Sequence, residues 1–146
     1  GMGSVFSTVV TLIVAAEIFS AGLIGLGFID TLVSGSTHLG FSGAAISIFI
    51  TILVFLAAML MGSGNAAFFS FGPLVPDIAG RLGMTAPEMI LPMQLSASMG
   101  RATSPIAGVI VAIAGVAGVS PVELAKRNMP PLIGGLIVLL LFHFIF

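Results

Sequence analysis

Apolar residues occur in runs that approach the length of a membrane-spanning helix. A bilayer core about 30 Å thick needs roughly 20 apolar helical residues to cross it. The first run, 5–28, predicts a spanning helix that breaks near Gly22, and the last run, 129–146, predicts a second one. Polar or proline-containing stretches interrupt the runs between them. The pattern therefore predicts an all-α integral membrane protein in which two elements are not simple spans.

The first interrupted element is a predicted helical hairpin over residues 41–80. Its first arm is an apolar helix that ends at Met61, and a polar, glycine-rich tip follows at 62–67. The second arm contains Pro73 and Pro76 and is short for a full crossing. Backbone outside a helix is tolerated at membrane depth only where it lines a cavity or is buried in protein. We therefore expect a re-entrant hairpin whose tip lies near the middle of the bilayer.

The second interrupted element is a predicted discontinuous helix over residues 87–119. Polar residues and Pro105 interrupt it at 100–105. Proline lacks a backbone donor and disfavours helical backbone at the preceding residue, so the chain should unwind there. A short amphipathic helix is predicted next at 121–128, before the final spanning helix.

The composition excludes several classes of protein. Hydrophobic residues make up 58% of the 146 residues and charged residues only 6%, with a mean hydropathy of +1.29. A soluble domain carries about a quarter charged residues. The formal net charge of −1 provides no basic surface for nucleic acid, and the absence of cysteine excludes disulfides and thiolate metal sites. No nucleophile, base and orienting acid occur together, so we expect neither an enzyme nor a resident cofactor or metal beyond a transported Na⁺.

Polar residues at the hairpin tip and at the helix break form the predicted binding site. Helix N-termini present free N–H groups and partial positive charge, which suit a carboxylate. Secondary transporters commonly build sites at the membrane midplane from such discontinuous helices. The predicted substrate-binding residues are Ser63, Gly64, Asn65, Arg101, Thr103 and Ser104, and the predicted hinge residues are Gly62, Gly100 and Pro105.

Two charged residues within apolar segments leave alternatives open. Arg101 costs on the order of 3 kcal/mol or more in the bilayer unless it faces a cavity or a partner. It either binds a substrate carboxylate bidentately or pairs with Glu17 and holds two helices together. Glu17 either takes part in coupling to a proton or cation or has a packing role. The predicted coupling-ion candidates are Asn65, Thr103 and Glu17, with Na⁺ or H⁺ as the ion.

Four stretches carry a resemblance to a known family. They are Met-Gly-Ser-Gly-Asn-Ala at 61–66, Leu-Pro-Met-Gln-Leu-Ser-Ala-Ser-Met-Gly-Arg-Ala-Thr-Ser-Pro at 91–105, Val-Ser-Pro-Val-Glu at 119–123, and Lys126-Arg127. Over essentially its whole length, the chain resembles the C-terminal part of the anaerobic C4-dicarboxylate carriers of the DcuC type, within the ion transporter superfamily. The tip and the helix break are the most specific of these stretches.

The resemblance implies a fold of two inverted repeats, each with a re-entrant hairpin and a broken helix, usually assembled as a homodimer. It implies that Ser63, Gly64 and Asn65 match the tip that contacts substrate carboxylate and Na⁺ in related divalent-anion carriers. Those tips carry Ser-Asn-Thr, from which this sequence departs. Thr103, Ser104 and Pro105 resemble the broken-helix signature of the same site.

The resemblance also implies a function. It is secondary transport of C4-dicarboxylates such as succinate and fumarate across the bacterial inner membrane, by uptake, exchange or efflux. The chain would then be one repeat of a multi-pass carrier whose N-terminal half is missing from this sequence.

Two other functions remain open from the sequence. One is a carrier of another organic anion or an amino-acid derivative. The other is a non-transporting helical scaffold subunit that packs through its glycine- and alanine-rich helices. Polar residues at the tip and at the break favour transport, because a scaffold has no need of them in apolar surroundings.

Overall fold

A computed structural model describes residues 2–38, 40 and 42–145. Within these residues the chain forms eight α-helices and no strand, which confirms the predicted all-α class. The helices are α1 (Met2–Gly25), α2 (Phe28–His38), α3 (Gly43–Met61), α4 (Gly64–Phe71), α5 (Val75–Leu82), α6 (Ala86–Ala102), α7 (Gly108–Ala117) and α8 (Pro121–Ile145).

Among the described residues, two helices are long and apolar enough to cross a membrane. They are Gly43–Met61, which is α3, and the Pro121–His143 part of α8. A third candidate span joins Ile13–Gly25 of α1 to Phe28–Gly35 of α2 across a bend of 56°. By length and composition, these elements fit the predicted membrane protein.

The first predicted span differs from the structure in where it breaks. The helix continues through Gly22 and ends at Gly25, and the chain bends at Gly27. Gly27 has a φ of 72°, a left-handed conformation that glycine adopts without the steric cost of a side chain. The serine-rich stretch 34–38, which the sequence placed after the span, is helical and belongs to α2.

The last predicted elements also differ from the structure. The sequence predicts separate helices at 121–128 and 129–146, whereas α8 is continuous through Pro130 and Pro131 to Ile145; the end of the prediction, residue 146, lies outside the described residues. Prolines remove backbone donors from a helix, but α8 packs against α7 at Ala125 before them and against α6 at Gly135 after them. Neighbouring helices commonly allow proline within membrane helices in this way.

The hairpin arms are α3 and α4, and they pack against each other. The predicted tip at 62–67 is shorter in the structure, because α4 already begins at Gly64 and only Gly62 and Ser63 lie between the helices. The second arm continues through a short 3-10 turn, Gly72–Leu74, into α5. The predicted start of the hairpin, residue 41, lies outside the described residues.

The core is centred on the packing of α3 against α6. Val54 and Ala58 of α3 and Met93 and Ala97 of α6 have no exposed surface. At Gly100, an added Cβ would lie 2.2 Å from the carbonyl oxygen of Phe55. The backbones of the two helices therefore touch, as small residues commonly allow between membrane helices. This contact sets the position of the C-terminal end of α6.

We predict that Gly100→Ala destabilises the fold by about 1–3 kcal/mol, because overpacking forces the two backbones apart. The matched control is Gly108→Ala, since no atom lies within 4 Å of a Cβ added there. The measurement is the free energy of unfolding in mixed micelles, by detergent titration followed by circular dichroism. Equal stability of the two variants would contradict the observed contact between α3 and α6.

Candidate functional site: the hairpin tip against the helix break

The hairpin tip lies directly against α6 and the helix break. A Cβ added at Gly62 would lie 2.9 Å from Cγ1 of Ile106 and 3.2 Å from the backbone nitrogen of Ala107. A Cβ added at Gly64 would lie 2.8 Å from the carbonyl oxygen of Ala97. A side chain at Gly64 would have to move the backbone at Ala97, and one at Gly62 would have to displace Ile106 and adopt a φ of 67°. The structure therefore brings together the two elements that the sequence predicts to form the site.

Ser63 ends the connection and caps α4. Its backbone is extended, and its hydroxyl accepts a hydrogen bond from the backbone N–H of Ala66 at 3.2 Å. The preceding N–H groups, of Gly64 and Asn65, have no acceptor within the helix, and together with the helix dipole they favour an anion. The side chain of Asn65 is exposed at this end. The tip thus presents a helix N-terminus and an amide side chain without a protein charge.

The break runs from Thr103 to Ala107, between α6 and α7, rather than over the predicted 100–105. Gly100 and Arg101 remain in the last turns of α6, because the packing of Gly100 on α3 holds that part of the helix in place. The Thr103 hydroxyl donates to the carbonyl oxygen of Gly100 at 2.8 Å. Unwinding therefore begins after Ala102.

Ser104 has an unusual environment within the break. Its side chain is fully buried, and its hydroxyl has no hydrogen-bond partner among the residues that the structure describes. An unpaired buried hydroxyl costs about 1–3 kcal/mol. Movement of the break that exposes this hydroxyl would allow it to bind a polar ligand. The neighbouring Thr103 is also buried, but its hydroxyl proton is already donated.

Arg101 does not pair with Glu17. Both residues are exposed, and neither belongs to any ion pair of the described residues. Glu17 lies on α1, which contacts α4; Ala16 and Ser20 of this helix are buried, whereas Glu17 is exposed. The Ser20 hydroxyl donates to the carbonyl oxygen of Ser70 at 2.7 Å. Arg101, at the end of α6, is thus available for a partner outside the described residues. The described contacts do not place Glu17 at the break.

A comparison with known proteins identifies the family. The model of the C4-dicarboxylate anaerobic carriers, DcuC, matches residues 1–146. The chain belongs to the DcuC family. The apolar helices and this membership together identify a membrane protein.

Named relatives within and beyond Escherichia agree with the family assignment. The chain is 39% identical over 140 residues to the anaerobic C4-dicarboxylate transporter DcuC of Escherichia coli K12, covering 96% of this chain and 30% of the relative. It is 39% identical to a probable anaerobic C4-dicarboxylate transporter DcuC of Vibrio cholerae, covering 97% of this chain and 31% of the relative. A putative uncharacterized transporter of Haemophilus influenzae is 38% identical, with 97% of this chain and 50% of the relative covered. No solved structure matches the chain.

The chain therefore spans about a third of the length of the DcuC relatives from Escherichia coli and Vibrio cholerae. One tip and one break are present in it. Within the described residues there is no group of three or more histidine, cysteine, aspartate or glutamate side chains that could hold a metal ion.

Asn128 is a residue of the site that the sequence reasoning missed. Its side-chain amide, on α8, donates to the carbonyl oxygen of Ala102 at 3.2 Å. That carbonyl lies at the end of α6, where backbone acceptors lack partners within the helix. In the sequence, Asn128 is indicated only by its place directly after Lys126-Arg127. By itself, that position is weak evidence for a functional role. Asn128 is a positioning residue, because it ties the end of α6 in this DcuC family member to α8.

We predict that Asn128→Ala loosens the break without unfolding the protein. Loss of one hydrogen bond, about 1 kcal/mol, should raise hydrogen exchange at the Thr103 and Ser104 amides about fivefold, because these amides are bonded to the last turn of α6. The measurement is hydrogen exchange of the peptide that covers the break. Arg127→Ala, one residue earlier and exposed, is the matched control. Equal exchange in both variants would mean that Asn128 does not hold the break.

Proposed function

We propose that this chain is part of a secondary carrier that moves C4-dicarboxylates such as succinate and fumarate across the bacterial inner membrane. Transport would proceed by uptake, exchange or efflux. The named relatives support this substrate class, since two of those described above carry the name of C4-dicarboxylate transporter. Our proposal covers the full-length protein, of which this chain would provide one repeat.

The observation that carries the proposal is the direct contact of the hairpin tip with α6 and the helix break. Two helix interruptions in an apolar chain are costly, because freed backbone groups need partners. Here the glycines at 62 and 64 bring them to within van der Waals distance of each other. As the hairpin and the broken helix move, polar groups at a site between them can exchange hydrogen-bond partners between protein and substrate. This arrangement supports transport over a purely structural role.

Each predicted residue has a role in the proposed site. Ser63, Gly64 and Asn65 would bind one substrate carboxylate through the first turn of α4. Arg101 would bind the second carboxylate, since its guanidinium can form two parallel hydrogen bonds. The unpaired hydroxyl of Ser104 would gain a partner when the site is occupied, and movement of the break would free the Thr103 hydroxyl to do the same.

Coupling to an ion forms a separate part of the proposal. Na⁺ would be bound by oxygen atoms of Asn65, Thr103 and nearby carbonyl groups, while Glu17 is the candidate if the ion is H⁺. A second repeat, in the N-terminal half of the full-length protein, would complete the pathway. We further propose assembly as a homodimer. No cofactor other than the coupling ion is required.

Succinate counterflow tests the substrate class. We expect radiolabelled succinate to accumulate in proteoliposomes that contain the longest natural reading frame including this sequence, and not in those that contain this chain alone. The assay is run with and without Na⁺. Dependence on Na⁺ would identify it as the coupling ion, and counterflow that depends only on pH would favour H⁺. Absence of counterflow by the long form, together with intact folding, would contradict the substrate class.

Arg101→Gln tests the site in the same assay. Loss of a charge-assisted hydrogen bond, about 1.5–3 kcal/mol, should lower kcat/KM for succinate about 10- to 100-fold. Arg127→Gln is a matched control, because it removes the same charge from an exposed arginine that pairs with Glu123 instead. Equal transport by the two variants would contradict a role for Arg101 in substrate binding. The loss should be smaller for a monocarboxylate substrate, since it lacks the second carboxylate.

A further inference from the structure

A second depression lies beside the break, next to the end of α3. It is a cleft of about 370 Å³ between the end of α3, the break and the first two turns of α8. Leu60, Thr103, Ile106, Ala125 and Lys126 are among its lining residues. Asn65 and Arg101 do not line it, and Thr103 is the residue that the cleft shares with the proposed dicarboxylate site. We call it the α8 cleft.

The lining of the α8 cleft is apolar with a single charge. Thr103 is polar, but its hydroxyl already donates to the carbonyl oxygen of Gly100. Leu60 is 72% exposed and Ile106 is 64% exposed, so both present apolar surface to an occupant. Of the described residues that line the cleft, Lys126 alone carries a charge. The lining therefore suits a mainly apolar occupant, and an anionic group at one end of it would complement Lys126.

Lys126 is the basic residue of the cleft lining, and it is available to an anion. Its neighbour Arg127 pairs with Glu123 at 2.6 Å. Lys126 belongs to no ion pair of the described residues and is exposed. It lies on the helix face that lines the cleft with Val122, Ala125 and Met129, as the spacing of three and four residues requires.

The position along α8 fits the edge of the bilayer. Lys126 is five residues from the start of the candidate span at Pro121, or about 8 Å along the helix. A lysine at this depth can place its ammonium group at the level of the lipid headgroups while its carbon chain stays in apolar surroundings. Basic residues near the membrane surface attract anionic lipids, and basic pockets between membrane helices bind their headgroups.

We propose that the α8 cleft binds an anionic phospholipid of the surrounding bilayer. Lys126 contacts the phosphate, and one acyl chain lies on Leu60, Ile106 and Ala125. Inorganic phosphate or a small dicarboxylate would leave this apolar lining uncovered, which is why the lipid is the occupant. A volume of about 370 Å³ is within the range of ligand sites, roughly 300–1,000 Å³.

Such a lipid would regulate the break. Thr103 and Ile106 belong both to the cleft lining and to the interruption between α6 and α7. A ligand shifts a conformational equilibrium toward the state that binds it better. The bound lipid therefore favours the conformation of the break that lines the cleft. This inference does not rest on the identity of the transported substrate.

Photolabelling tests the site in the full-length protein. The probe is phosphatidylglycerol with a diazirine on one acyl chain, added to protein in neutral detergent, and labelled peptides are identified by mass spectrometry. We expect label on the segments 103–106 and 122–129. Unlabelled phosphatidylglycerol should compete, and phosphatidylcholine should not. Label spread over all exposed apolar helix faces would overturn the proposal. Absence of label from these segments would also overturn it, as would be found if the rest of the protein covers the cleft.

A pair of variants tests the role of Lys126. Lys126→Gln should raise the concentration of unlabelled phosphatidylglycerol needed to halve the labelling about fivefold. This is the effect of one basic residue near a membrane surface. Arg127→Gln should change that concentration by less than about twofold, because that arginine is already paired. Circular dichroism checks that both variants fold. A third variant, Ile106→Trp, narrows the cleft and should reduce labelling of the segments 103–106 and 122–129. Equal effects of the two charge variants would overturn the assignment of the headgroup contact to Lys126.

Discussion

Direct backbone contact at three glycines holds the hairpin, α6 and the break in one arrangement. Gly100 allows α6 to touch the carbonyl oxygen of Phe55 on α3, and Gly62 and Gly64 allow the tip to touch α6 and the break. Within the bilayer there is little hydrophobic drive between helices, so close packing of small residues contributes much of the association. The site depends on this contact, because it places two helix ends beside each other in a largely apolar chain.

Hydrogen bonds around this contact explain how polar groups are accommodated at the site. Ser63 accepts a hydrogen bond from one N–H of the first turn of α4, Thr103 donates to a carbonyl of α6, and Asn128 donates to another from α8. The groups left over are the hydroxyl of Ser104, the side chain of Arg101 and the first N–H groups of α4. In our account, these remaining groups bind the substrate, while the satisfied ones keep the interruptions in place when the site is empty.

The class of fold and the two interrupted helical elements could be predicted from sequence, because long apolar runs and proline or glycine interruptions are local signals. Helix boundaries could not. The bend at Gly27, the continuity of α8 through its two prolines and the helical state of Arg101 all depend on packing with distant segments. Asn128 was missed for the same reason, since its partner is 26 residues away in sequence. Likewise, the sequence could offer Glu17 as a partner of Arg101, and only the structure shows them unpaired.

The most direct test of the account is the distance between the tip helix and the helix after the break, measured with and without succinate. Spin labels at Phe69→Cys on α4 and Val109→Cys on α7 use two exposed positions in a cysteine-free form of the full-length protein, and double electron–electron resonance gives the distance distribution. The account predicts that succinate shifts the distribution, whereas acetate does not. An unchanged distribution in labelled protein that still shows succinate counterflow would contradict a substrate site between the tip and the break.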